Sequence, residues 1–63
     1  MKNKVKFFRK EKGLTQAELA ENLSVTRQTI NAIENDKYNP TLELAMKTAR
    51  FLGVNVEELF FLD

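Results

Sequence analysis

Thr15 and Thr26 each precede a run of good helix formers, and only Ser24 and Val25 separate the two runs. The chain must therefore set two short helices at an angle across a turn too tight to hold anything else. In Thr15-Gln-Ala-Glu18 the threonine hydroxyl can accept the Glu18 amide while the Glu18 carboxylate reaches back to the Thr15 amide, which opens a helix from Gln16 to about Leu23. Thr26 caps the next one, from Arg27 to about Asn35, with Thr29, Ile30 and Ile33 facing inward. Upstream, Val5, Phe8 and Arg9 share a face of a helix over 3–12 that Gly13 stops. Downstream, a polar loop from Asn35 to Pro40 leads to Thr41, the cap of a helix over 42–52 that Gly53 ends. Asn55 and Glu58 repeat the capping-box pattern for a last helix from Val56 to about Phe61. These signals predict one all-α domain over 1–63, a compact five-helix bundle with almost no loop.

Composition removes most chemistry. Without cysteine there is no disulfide, thiolate metal site or thiol nucleophile, and a secreted domain of this size normally needs such staples, so the expected compartment is the cytoplasm. Without histidine the commonest general base and zinc ligand is missing, and the acidic residues form no paired cluster. No enzyme, metal or cofactor is expected, and no apolar run approaches a membrane span. The formal charge is only +1, yet residues 1–12 hold six basic residues against one acidic. That asymmetry fits a basic face for an anionic partner or a solvated terminus. Lys2, Lys4 and Lys6 gather where the helix dipole favours negative charge, a conflict that a nearby phosphate backbone would relieve.

The outward face of the third helix is chemically unusual. Arg27 and Asn31 lie four residues apart on it, with Gln28 and Ala32 on the adjoining row and no acid among them. Arginine can bond guanine O6 and N7, glutamine or asparagine can bond adenine N6 and N7, and a methyl can meet thymine. The alternative is a plain solvated face. Leu14-Thr15-Gln16, Leu19-Ala20, Val25, Ile30, Ile33-Glu34-Asn35 and Pro40 together resemble the helix-turn-helix family of phage Cro and repressor proteins, the xenobiotic-response-element family, over nearly the whole chain. The resemblance implies a lambda-repressor-like domain that binds double-stranded DNA, with Arg27 and Gln28 reading bases and Asn31 at the groove edge beside Ala32. It also implies that Gln16, Thr26, Asn35, Lys37 and Tyr38 touch phosphates. Arg9 shares the Val5/Phe8 face and Glu34 the Ile30/Ile33 face, so the two charges should pair, and the resemblance implies the same buried bridge.

Helical spacing gives an expected core of Val5, Phe8, Leu14, Leu19, Ala20, Leu23, Val25, Ile30, Ile33, Leu42, Ala45, Ala49, Leu52 and Val54. Leu44, Thr48 and Phe51 form a second row on the fourth helix, and Leu59, Phe60, Phe61 and Leu62 crowd the end. One small core is not expected to absorb all of these, so Leu44, Phe51, Leu59, Phe60, Phe61 and Leu62 are candidates for a homodimer interface. Such a dimer would set two reading helices about 34 Å apart, one duplex turn, on a palindromic operator. Phe7 has no assigned partner. Ser24 and Asp36 stand where the family often has glycine; if either adopts positive φ, Ser24 should be the more strained. Thr48 replaces a common isoleucine and should either loosen packing or bond the backbone. The expected function is transcriptional regulation, most simply repression, and the alternative is an antitoxin that neutralises a partner toxin.

Overall fold

Helices begin in this chain where a side-chain oxygen meets a free amide. The computed structural model describes residues 1–62, and its helices are α1 (Val5–Glu11), α2 (Gln16–Leu23), α3 (Arg27–Glu34), α4 (Leu42–Leu52) and α5 (Val56–Leu59). Thr15 Oγ1 accepts the Glu18 amide at 3.0 Å while Glu18 Oε1 accepts the Thr15 amide at 2.9 Å, so the capping box at α2 forms in full. Thr26 and Thr41 cap α3 and α4 by accepting the Thr29 and Leu44 amides. At α5, Glu58 Oε1 accepts the Asn55 amide at 3.0 Å. Among the described residues no helix is long and apolar enough to cross a membrane.

Four helices end in one way. Leu14, Val25, Lys37 and Val54 each donate their amide to a carbonyl five residues back, on Arg9, Ala20, Ala32 and Ala49, and the residue before each donor has positive φ. Glycine fills that position at Gly13 and Gly53, whereas Ser24 and Asp36 sit there at φ 58. Ser24 is exposed, and its conformation costs a residue with a Cβ about 1 kcal/mol. Asp36 recovers part of that cost, because its Oδ1 accepts a hydrogen bond from Asn3 Nδ2 at 3.0 Å. Ser24→Gly should therefore stabilise the domain by up to about 1 kcal/mol, whereas Asp36→Gly should be close to neutral, differences that thermal denaturation of the two variants will resolve.

The core draws one fully buried side chain from each of four helices, Val5, Leu19, Ile30 and Leu59, which fixes α1, α2, α3 and α5 about a common centre. Ala20, Leu23, Ile33, Ala45, Ala49, Leu52 and Phe60 complete it, with Phe8, Val25, Leu44, Phe51, Val54 and Val56 packed at its edge. Thr48 is buried and donates its hydroxyl to the Leu44 carbonyl at 2.7 Å, so it bonds the backbone and leaves no orphaned group. Phe7 is exposed, and its ring meets that of Phe8 edge-on at 5.1 Å.

The ends of the chain differ from the helical expectation. Asn3, expected to open the first helix, does not join α1; with Lys2 it forms β1 (Lys2–Asn3), which pairs antiparallel with β2 (Phe60–Phe61), Lys2 opposite Phe61 and Asn3 opposite Phe60. Asn3 Oδ1 then accepts the Val5 amide at 3.1 Å, and α1 starts there. For the same reason α5 stops at Leu59, because Phe60 turns extended to pair with β1. The expected dimer set is divided as a result. Leu59 and Phe60 are consumed by the core of their own chain, so they are not available to a second copy. Leu44, Phe51 and Phe61 are half-buried, and Leu62 is exposed. Leu42, expected in the core, is 73% exposed, because it lies at the edge of the α4 stripe beside Met46, away from the centre that Ala45, Ala49 and Leu52 hold.

Candidate nucleic-acid interface

The one acid of α3 is turned inside the fold and paired there. Glu34 is bound by Arg9 from two nitrogens, Nε to Oε2 at 2.7 Å and Nη2 to Oε1 at 3.2 Å, and its side chain is only 3% exposed. This two-point geometry is the strong form of the carboxylate–guanidinium pair. Arg9 Nη1 also donates to the Leu14 carbonyl at 2.7 Å, and Gln16 Nε2 donates to Glu34 Oε1 at 3.0 Å. The network ties α1, the turn after it, α2 and α3 together. Among the described residues no buried side-chain nitrogen or oxygen lacks a partner.

With Glu34 neutralised inside, the outer face of α3 presents Arg27, Gln28 and Asn31, all exposed, with Ala32 half-buried between them. Gln28, Asn31, Ala32, Asn35 and Lys37 line one shallow depression, so the structure brings five of the nine DNA-contact candidates onto a single surface. Arg27 stands outside it at the first position of α3, one turn before Asn31. Thr26, immediately before, is exposed and engaged as cap; its Oγ1 also lies 3.0 Å from Thr29 Oγ1. Tyr38 is exposed in the loop that follows.

Two of the expected phosphate contacts turn out to have partners within the chain. Gln16 is half-buried and spends one amide hydrogen on Glu34, keeping the other. Asn35 Nδ2 donates to the Asn31 carbonyl at 2.9 Å and also to Asn31 Oδ1. Asn35 thereby holds the Asn31 amide group, whose own Nδ2 hydrogens remain for an acceptor.

Asn3 was not singled out by the sequence and proves to be a third support of α3. Its Nδ2 donates to the Ile33 carbonyl at 2.8 Å as well as to Asp36 Oδ1, so it closes the C-terminal end of α3 while its own oxygen starts α1. Nothing local marks the role, since the partners lie thirty or more residues away.

Comparison with known proteins agrees with this geometry. The pattern of the Helix-turn-helix family matches residues 5–59. An uncharacterised HTH-type transcriptional regulator of Methanocaldococcus jannaschii is 52% identical over 63 residues, spanning 100% of this chain and 96% of that one. The immunity repressor protein of Bacillus phage phi105 is 39% identical over 56 residues, 89% of this chain and 39% of that one. Among solved structures, the biofilm regulator SinR of Bacillus subtilis in complex with DNA superposes with a TM-score of 0.76 at 35% identity, covering 84% of this chain and 86% of that one. The tight pair of α2 and α3, the buried carboxylate behind the acid-free face and these matches lead to one assignment: the chain belongs to the helix-turn-helix family, in its Cro and repressor branch.

Proposed function

We propose that this chain is a sequence-specific DNA-binding transcriptional regulator that represses by occupying a palindromic operator as a homodimer. The observation that carries the reading is the outer face of α3, which offers Arg27, Gln28 and Asn31 to a base edge while its only carboxylate is paired inside the fold. Arg27 suits guanine, Gln28 and Asn31 suit adenine, and Ala32 offers a methyl to thymine. Thr26, Lys37 and Tyr38 flank this face along the chain and serve as phosphate contacts, with Gln16 and Asn35 adding one from partly committed amides. The longest dimension of the domain is 28 Å, shorter than the roughly 34 Å of a duplex turn, so each copy reads one half-site. Binding, with no chemical step, is the activity, and a DNA partner implies a cytoplasmic location.

The electrostatic part is tested by titrating a labelled duplex of arbitrary sequence with the protein at several salt concentrations. Affinity should fall linearly on a log–log plot. Lys37→Ala should weaken all duplexes to a similar degree and make the slope shallower by about one per protomer in contact. A salt-independent affinity, or a Lys37→Ala effect confined to one sequence, contradicts the assignment of Lys37 to the phosphate backbone.

A further inference from the structure

Two acids close the third helix, Glu34 in its last turn and Asp36 just beyond, and only the first is buried. Asp36 is the one acid in residues 35–40 and sits between Asn35 and Lys37, both phosphate contacts in the proposed reading. A free carboxylate there would repel the phosphates that Lys37 attracts. Asp36 is exposed, so burial does not silence it. Its Oδ1 instead accepts a hydrogen bond from Asn3 Nδ2 at 3.0 Å. The depression on the outer face of α3 is lined by Asn35 and Lys37 but not by Asp36, which keeps the carboxylate off that surface.

The amide of Asn3 is fully committed to this arrangement. One of its hydrogens goes to Asp36 Oδ1 and the other to the Ile33 carbonyl at 2.8 Å, while its oxygen accepts the Val5 amide at 3.1 Å. Two acceptors on the nitrogen side and a donor on the oxygen side allow the group a single orientation. The Ile33 carbonyl also accepts the Asp36 amide at 3.1 Å, so Asn3 grips both the backbone and the side chain of the turn that follows α3. Asn3 is itself mounted on the core, because it pairs opposite buried Phe60 and the next amide, of Lys4, donates to the Leu59 carbonyl at 2.9 Å. Lys37 has its own tie to α3, its amide bonding the Ala32 carbonyl at 2.8 Å. Loss of Asn3 would therefore free the carboxylate and leave the lysine in place.

We propose that Asn3 is a positioning residue for DNA binding, which holds the Asp36 carboxylate away from the phosphate backbone. The inference deepens the DNA-binding reading and rests on it. Asn3→Ser and Asp36→Gly, alone and combined, test it on a labelled duplex of arbitrary sequence at low salt, with circular dichroism of each protein for helix content. Serine still offers an oxygen to the Val5 amide but is too short to reach Asp36. Asn3→Ser should weaken binding about 5-fold for each protomer in contact, the effect of one like-charge pair about 4 Å apart in water. Asp36→Gly alone should change affinity by less than about 2-fold, because the carboxylate is already withdrawn. Added to Asn3→Ser, it should restore binding to within about 2-fold of the wild type. The melting temperature should not recover with it, since glycine returns none of the lost hydrogen bonds.

A folded Asn3→Ser protein that binds as tightly as the wild type, or a loss that Asp36→Gly does not reverse, overturns the inference and leaves Asn3 a role in the fold alone. Should Asn3→Ser lose its helix content, Asp36→Gly by itself decides. An unchanged affinity supports a withdrawn carboxylate, and a gain of about 5-fold reveals one that already opposes the duplex and overturns the proposal. The failure of the DNA-binding reading looks different: a wild type whose affinity does not vary with salt removes the anionic partner, and the role of Asn3 with it.

Discussion

Replacing Glu34 with alanine should remove about half or more of the domain's stability. The substitution strips Arg9, whose side chain is 8% exposed, of two of its three hydrogen bonds and leaves a guanidinium buried without a counter-charge. Removing one member of a buried pair costs about 3 to 5 kcal/mol. A domain of this length has roughly 3 to 9 kcal/mol in total, taking about 0.05 to 0.15 kcal/mol per residue. Urea denaturation followed by circular dichroism will measure the loss. The paired replacement Arg9→Met with Glu34→Leu should recover part of the stability, since two apolar side chains fill the space without a charge to desolvate while the Leu14 carbonyl and the Gln16 amide lose their partners. If the double variant were as unstable as the single one, the bridge would owe its effect to attraction between the charges and not to the exposure of an unpaired one.

The second large effect concerns recognition. Arg27→Ala or Gln28→Ala should keep the fold, because both residues are exposed and neither side chain takes part in a hydrogen bond that shapes α3. Each bidentate base contact contributes about 1 to 3 kcal/mol of discrimination. Two half-sites double it, so either substitution should reduce the preference for the operator over random duplex by roughly 30- to 25,000-fold. Competition binding against random duplex reads this ratio directly. Affinity for random DNA should change far less, and an unchanged ratio in both variants would remove Arg27 and Gln28 from the reading face.

Much of this fold is written in local signals. Thr15, Thr26 and Thr41 act within three residues of themselves, and the stops at Gly13 and Gly53 act within five, so the boundaries of α2 and α4 agree with the sequence pattern and α3 differs by one residue. The pairing of Arg9 with Glu34 was legible as well, because each charge sits on the apolar face of its own helix and needs a partner there. What escaped was long-range and backbone-driven. Asn3 continues the pattern of α1, and Phe60 and Phe61 that of α5; only the meeting of the two chain ends converts them into paired strands. Asn3 supports α3 through the Ile33 carbonyl and Asp36, which no spacing rule anticipates.

The apolar residues show the same division. Four consecutive ones at 59–62 offer no helical or alternating pattern to sort them, and the strand pairing decides that Leu59 and Phe60 go inside while Leu62 stays out. Leu42 lies at the rim of a correctly placed stripe, and whether a rim residue is covered depends on how far the neighbouring helices reach. On the outer face of α3 the residue types were readable from helix geometry alone, but the engagement of Asn31 by Asn35 and of Gln16 by Glu34 was not, since side-chain amides can turn to several partners.

The central claim is that α3 reads a DNA sequence. Selection of duplexes from a randomised pool by the purified protein near physiological salt, followed by sequencing of what is retained, tests it most directly. The account predicts enrichment of a two-fold symmetric motif whose half-sites are centred about one duplex turn apart, with the preference lost in Arg27→Ala. Recovery of a random pool by a folded protein would contradict it, and would turn attention to a protein partner in place of an operator.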